Sequence, residues 1–303
     1  MTRFHDEVSR GERFEFGKNW LRFLTTLNEE RITAAEESLC SSMNVRDLSG
    51  RTFLDLGCGS GLFSLAARRL GALVHSLDLD PSSVECAREL RRTYFPEDPA
   101  WTVEQGSVLN PDQLASLGKY DVVYAWGVLH HTGDMHNALA NVALPVREGG
   151  RLFISIHNRQ PRASERWTRV KKFYCSLPRG AQVPFATGMM SLRESRLMLR
   201  YLLTLRPQKY VRRWTQYSRK RGMSRWHDYV DWLGGYPFEA ARPEEIIHCY
   251  RELGFYVEHL KTVGGGSGCN EFIFRKNSAV LNKAPGRPGA VAQIRQSPVS
   301  RAA

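Results

Sequence analysis

The sequence predicts an α/β protein with a doubly wound, mostly parallel sheet of seven strands, closed by an antiparallel hairpin and interrupted by an inserted helical subdomain. Three observations carry that prediction. Short apolar runs alternate with helical periodicities between residues 52 and 157. One run, Phe53-Leu54-Asp55-Leu56, leads straight into a glycine-rich turn. The alternation then stops at residue 159 and returns at 243.

Residues 1–50 read as an N-terminal arm with helices, anchored by Phe14, Phe16 and Trp20, with a helix over 28–42. A strand over 52–56 is followed by a helix over 62–70, which Gly71 ends. Strand 73–78, helix 82–94, a short strand at 101–104, strand 121–126, helix 136–145 and strand 151–157 complete the unit 51–158. Parallel strands joined by helices need this rhythm.

Residues 159–235 form the insertion, with three amphipathic patches. Trp167, Val170, Tyr174 and Leu177 share one face before Pro178. Ser191-x-x-Glu194 has the form of a capping box, followed by Leu192, Met198, Leu199, Leu202 and Leu203. Tyr210, Trp214 and Tyr217 make the third stripe, before Gly222. All three stripes are expected to be core. Residues 236–277 return to the sheet. Pro243 opens a helix that Gly254 ends, and strands at 255–260 and 271–274 flank the turn Gly264-Gly265-Gly266-Ser267-Gly268. The tail 278–303 is rich in Pro, Gly, Ala and Arg and is expected to be disordered.

Composition bounds the function. Six scattered cysteines without a C-x-x-C pair argue against a zinc ribbon or a disulfide framework, and the histidines have no ligand spacing, so no metal is expected. No N-terminal apolar stretch and no run of about 18 apolar residues appears, so a cytoplasmic enzyme is expected. The net charge of +12 is concentrated: residues 159–225 hold 18 Lys and Arg against Glu165 and Glu194. That excess suits nucleic acid, an anionic membrane surface or an anionic acceptor.

The strongest motif is Asp55-Leu56-Gly57-Cys58-Gly59-Ser60-Gly61, a strand entering a G-x-G-x-G turn that opens a helix. Asp78 stands about 20 residues on, at the end of the next strand, where it can accept bonds from ribose hydroxyls. In these residues, and in Tyr120-Asp121-Val122-Val123-Tyr124-Ala125-Trp126-Gly127-Val128-Leu129-His130-His131, the chain resembles the Rossmann-like class I S-adenosylmethionine-dependent methyltransferases. The resemblance covers residues 50–158 and, more loosely, 255–275. It is nearest to the small-molecule group that includes the ubiquinone-pathway O-methyltransferases. It implies S-adenosylmethionine as cofactor, with Asp55, Gly57, Cys58, Gly59 and Gly61 beside its methionine part. Asp78 and Leu79 would lie at the ribose, Ser107 and Val108 at the adenine, and Trp126 near the sulfonium. Many relatives carry an acid where Ser107 stands.

For the acceptor, His130 and His131 follow the fourth strand at its carboxyl end, where open α/β sheets bind ligands, and histidine suits a general base. His157 ends the fifth strand. Asp228 and Asp231, three apart, share a face if helical, just before the pair Gly234-Gly235, which reads as a hinge. These five residues are the catalytic candidates. The function expected is methyl transfer to a small-molecule hydroxyl, under a lid made by the insertion. The alternatives are a lipid-linked acceptor with the enzyme peripheral at a membrane, an RNA methyltransferase using 159–225, and a non-catalytic donor-binding protein. Against RNA stand the helical spacing of the aromatics and the segment Ala125-Trp126-Gly127, which is not the Asn/Asp-Pro-Pro-aromatic motif of nucleobase amino methyltransferases.

Overall fold

The computed structural model describes residues 2–215, 217 and 224–278. Seven strands, β1 (Thr52–Leu56), β2 (Leu73–Asp78), β3 (Trp101–Gln105), β4 (Tyr120–Trp126), β5 (Val146–His157), β6 (Phe255–Lys261) and β7 (Cys269–Lys276), form one sheet. Their order is β3-β2-β1-β4-β5-β7-β6, with β7 antiparallel to both neighbours and the other pairings parallel. This is the expected doubly wound sheet with a closing hairpin. The order reverses between β1 and β4, which opens a crevice at their carboxyl ends.

Alternation along β1 sets the two layers. Phe53 joins one apolar core with α3 (Glu29–Met43), α4 (Leu62–Arg69) and α5 (Pro81–Tyr94), around the buried Trp101. Leu54 and Leu56 join the other with α6 (Pro111–Ser116), α7 (Met135–Asn141) and α12 (Pro243–Glu252). Helix α6 was not anticipated, although the Asn110 side chain accepts the Gln113 amide and Pro111 fills the first turn. In the N-terminal arm, α1 (Thr2–Ser9) and α2 (Phe16–Leu24) precede α3. The arm is no appendage: Phe23, Ile32 and Leu39 are fully buried in the first core. The Gly17 amide donates to Asp80 Oδ2 at 2.7 Å, which ties α2 to the start of α5.

The insertion contains α8 (Pro161–Ser176), α9 (Arg179–Leu203), α10 (Pro207–Thr215) and α11 (Arg225–Gly234). Its own small core gathers Tyr174, Ala186, Tyr229, Val230 and Leu233 around Phe14 of the arm. Two expectations fail here. Helix α9 runs unbroken through Pro184, so Ser191-x-x-Glu194 lies inside it and caps nothing; Glu194 instead pairs with Arg225 of α11 at 2.6 Å. Of the apolar stripes, only the first is core. Leu192, Met198, Leu199, Leu202, Leu203 and Trp214 are exposed, because α10 packs mainly on α9 and little else of the described chain reaches these side chains, apart from Arg225 of α11 over one face of Trp214. The tail expected to be disordered lies, from 279 on, outside the described residues. Among the described residues no helix is long and apolar enough to cross a membrane.

Gly17 sets the contact between arm and core. A Cβ there would meet Ser82 Cβ at 2.5 Å and the Ser83 amide nitrogen at 2.6 Å. Gly17→Ala should therefore cost about 1–3 kcal/mol, as overpacking does, read as a lower denaturant midpoint. An unchanged midpoint would mean that α2 is not held against α5.

Candidate active site

One cavity of about 1110 Å³ opens at the carboxyl ends of the strands. It is lined by the glycine turn, by Asp78, by the loop after β3, by the end of β4 and by the insertion.

Of the cofactor candidates, Asp55, Gly57, Cys58, Gly59, Asp78, Leu79, Ser107, Val108 and Trp126 all line this cavity. Gly61 does not; a Cβ there would lie 2.8 Å from Ala87 Cα, so this glycine allows α4 and α5 to close on each other. Gly59 has φ of +55°, and a Cβ would stand 3.0 Å from Trp20 Nε1. The turn is thus roofed by an indole from the arm.

Asp78 Oδ2 accepts the Gly59 amide at 2.9 Å and Oδ1 accepts the Asp80 amide at 2.9 Å. Each oxygen keeps a lone pair for a further donor. Burial pushes this carboxyl up to about 7, against the pull of those amides. Asp55 is buried below the turn and accepts the Ser64 hydroxyl at 2.5 Å. Ser76 donates to Ser64 at 2.7 Å, and Trp101 Nε1 donates to Ser76 at 2.9 Å, so a chain of hydroxyls supports it. Burial raises Asp55 to about 7 as well. The Ser107 amide donates to Gln113 Oε1 at 3.1 Å, and its hydroxyl accepts the Leu109 amide at 3.1 Å, which fixes the loop after β3.

At the other end, His130 and His131 sit in a 3-10 turn and His157 ends β5. Ring centroids of His130 lie 4.3 Å from His131 and 4.6 Å from His157. His130 and His157 are buried; His131 is half-buried. Each ring is tied to a backbone carbonyl: His131 Nδ1 to Pro237 at 2.9 Å, His130 to Ser155 and His157 to Gly268. Burial first, and then neighbouring positive charge including Lys171, lowers all three from the usual histidine range, His157 to about 3. All are neutral at physiological pH. A nitrogen of each ring lies within 4.8 Å of the other two, a spacing that can hold a metal ion. The positive charge of Lys171, which acts on all three rings, opposes a cation there.

Asp228 and Asp231 both line the cavity from α11, as their spacing requires. Tyr217 donates to Asp228 Oδ2 at 2.8 Å. Asp231 is buried, accepts Asn19 Nδ2 at 2.8 Å, and is raised well above the carboxylate range by burial. The pair Gly234-Gly235, expected as a hinge, is closely packed. A Cβ on Gly234 would meet the Phe14 ring at 2.4 Å, and one on Gly235 would meet His131 Cε1 at 2.6 Å. These glycines are small because rings pack onto them, and neither has a positive φ.

Three contributors escaped the sequence. Arg13 donates to the carbonyls of His131 and Thr132, both at 3.1 Å, and pins the histidine turn from the arm. Trp20 covers Gly59. Lys171 is buried, donates to the Trp232 carbonyl, and lies 4.7 Å from the centroid of Phe238. Burial lowers its ammonium to about 7. A signal for Lys171 existed: it stands four residues after Trp167 and three before Tyr174, on the buried face of that stripe.

A family model described as a methyltransferase domain matches residues 18–226, and the chain belongs to that family. The ubiquinone biosynthesis O-methyltransferase of Aeromonas salmonicida is 36% identical over 118 residues, 38% of this chain and 47% of that protein. Its namesake from a Methylobacterium strain is 28% identical over 168 residues, 52% of this chain and 65% of that protein. The chain spans about half the length of the first of these relatives. Among solved structures, a magnesium protoporphyrin IX methyltransferase from Synechocystis with bound SAH aligns with a TM-score of 0.46 at 16% identity, over 81% of this chain and 82% of that one.

The family bears out the resemblance read from the Asp55–Gly61 turn and Asp78, and S-adenosylmethionine as the cofactor. The residues present fit it. Asp78 offers two oxygens with free lone pairs, and Gly106, Ser107 and Val108 of the loop after β3 line the same cavity. An ionised Asp78 would accept two ribose hydroxyls, and a protonated one would lose an acceptor position. Donor affinity should therefore rise about tenfold as pH climbs through 7, by the added worth of bonds to a charged acceptor. Asp78→Asn should remove most of that rise in calorimetric titrations. A rise of equal size in the variant would assign the titration to Asp55.

Proposed function

We propose that the protein transfers the methyl group of S-adenosylmethionine to a hydroxyl of a small molecule, with His131 as general base. The observation that supports this is one continuous cavity that reaches from Asp78 and the glycine turn to His131. The cofactor supplies an electrophilic methyl group on a sulfonium. The chain must hold the nucleophile in line with it and take up its proton. His131 Nδ1 donates to the Pro237 carbonyl, which leaves the Nε2 lone pair for the acceptor hydroxyl. Nε2 would take the hydroxyl proton as the oxygen–carbon bond forms and the sulfur–methyl bond breaks, with the neutral thioether S-adenosylhomocysteine as the leaving group. Neutral His130 and His157 wall the ring on one side, and Gly235 allows the backbone close on the other. Arg13 fixes the turn from behind.

The insertion serves as the cover of the acceptor end: Trp167 of α8, Met190 and Arg193 of α9, and Trp232 of α11 line the same cavity as His131. Arg193, Arg196 and Arg213 at its mouth favour an acceptor with negative charge.

Incubating the protein with methyl-labelled S-adenosylmethionine and cell extract should place label in a small molecule. His131→Ala should lower kcat by about 10²–10⁴ with donor affinity little changed; an unchanged kcat would remove the base role. Gly235→Ala tests positioning separately. Its Cβ must push the His131 ring, so kcat should fall by up to about 10², again with donor affinity preserved. Parent-like kcat would show that the ring position does not matter.

A further inference from the structure

The second half of α9 and the whole of α10 form a hairpin at the edge of the cavity, where Arg193, Arg196, Leu197 and Arg213 line it. The two helices meet through Tyr201 and Tyr210, whose ring centroids are 6.2 Å apart, and Arg225 stacks over Trp214 at 3.7 Å. Several leucines of the hairpin are largely exposed. Leu199 is 56% exposed, Leu203 76% and Leu205 87%. Leu192, Leu199 and Leu203 recur at spacings of seven and four, so they share one side of α9. Leu205, at the tip, has φ of +53°, a conformation in which glycine or asparagine is the low-cost choice. The turn does not explain a leucine there. A contiguous apolar patch of this kind marks a surface that something covers.

The charge around the patch says what. Between residues 191 and 217 there are seven Lys and Arg against one acid, Glu194, which is buried in its pair with Arg225. Apolar side chains inside a collar of long basic ones are the composition of an interfacial helix. We propose that the α9–α10 hairpin docks on an anionic phospholipid bilayer, with Leu199, Leu203 and Leu205 entering the headgroup boundary and Arg196, Arg200 and Lys209 meeting the phosphates.

A second copy of the chain fits less well, because a two-fold contact would set one basic collar against another. RNA fits less well too, since Tyr201, Tyr210 and Trp214 are turned onto each other and onto Arg225 rather than presented as stacking platforms. Met190, Arg193 and Leu197 of α9 line the acceptor end of the cavity, so docking brings its mouth to the bilayer surface. That last step rests on the proposed function and would deliver an acceptor with an apolar tail. The docking itself does not depend on it.

The test is flotation of the full chain with phosphatidylcholine vesicles, with and without phosphatidylglycerol, alongside the triple variant Leu199→Ser, Leu203→Ser, Leu205→Ser. The three side chains line neither the cavity nor a core, so the variant should keep its thermal midpoint and its donor affinity. The parent should float with phosphatidylglycerol-containing vesicles and lose binding in high salt. The variant should bind about tenfold more weakly or less. Parent that stays behind when anionic vesicles float would overturn the proposal, as would a variant that floats like the parent. So would a dimer in sedimentation that the variant splits, or retention of the parent by RNA without vesicle binding. Loss of methyl transfer with flotation intact would count against the proposed reaction and leave the docking standing.

Discussion

The hydrogen bond from the Gly17 amide to Asp80, 2.7 Å long and buried, holds the arm where the rest of the site needs it. Asp80 also accepts the Ser82 amide at the start of α5, so one carboxylate serves the helix cap and the arm together. With α2 fixed there, Trp20 reaches Gly59, Asn19 reaches Asp231 and Arg13 reaches the His131 and Thr132 carbonyls. The donor turn, the insertion and the histidine turn come from three distant parts of the chain. A stretch of eight residues, 13–20, touches all of them. The arm is therefore better described as the clamp of the cavity than as a separate unit.

The cavity is also polarised by burial. At the candidate donor end Asp55 and Asp78 are both pushed up to about 7, and a positively charged ligand beside them would favour the ionised form. At the acceptor end three imidazoles are kept neutral, and Lys171 beneath them is lowered to about 7. Acids that welcome a cation and bases that hold no proton suit a transfer in which positive charge leaves the donor and a proton leaves the acceptor. Asp231, buried and raised, acts differently: its bond to Asn19 makes it a brace between α11 and α2.

The sheet, and the residues gathered at the candidate donor end, were legible because they rest on local signals. Strand periodicity, the Gly57–Gly59–Gly61 turn and Asp78 are all read within about 30 residues, and the sheet follows from them. The acceptor side was legible only as a set of names. His130 and His131 follow β4 by proximity in sequence, but Lys171 reaches them only when α8 folds back. Arg13 lies 118 residues from the carbonyl it holds. Gly234 and Gly235 read as a hinge in the sequence, which cannot show that Phe14 and His131 press on them. The stripe through Leu199 and Leu203 has the periodicity of a core helix, and the same periodicity describes a helix whose apolar side is left for an external partner.

The most direct test of the account is a crystal structure with S-adenosylhomocysteine. The ribose hydroxyls should lie on Asp78, the amino-acid part beside Gly57 and Gly59, the adenine against Ser107 and Val108, and the sulfur should be directed along the cavity toward His131. A ribose away from Asp78, or a sulfur directed away from the histidines, would contradict it.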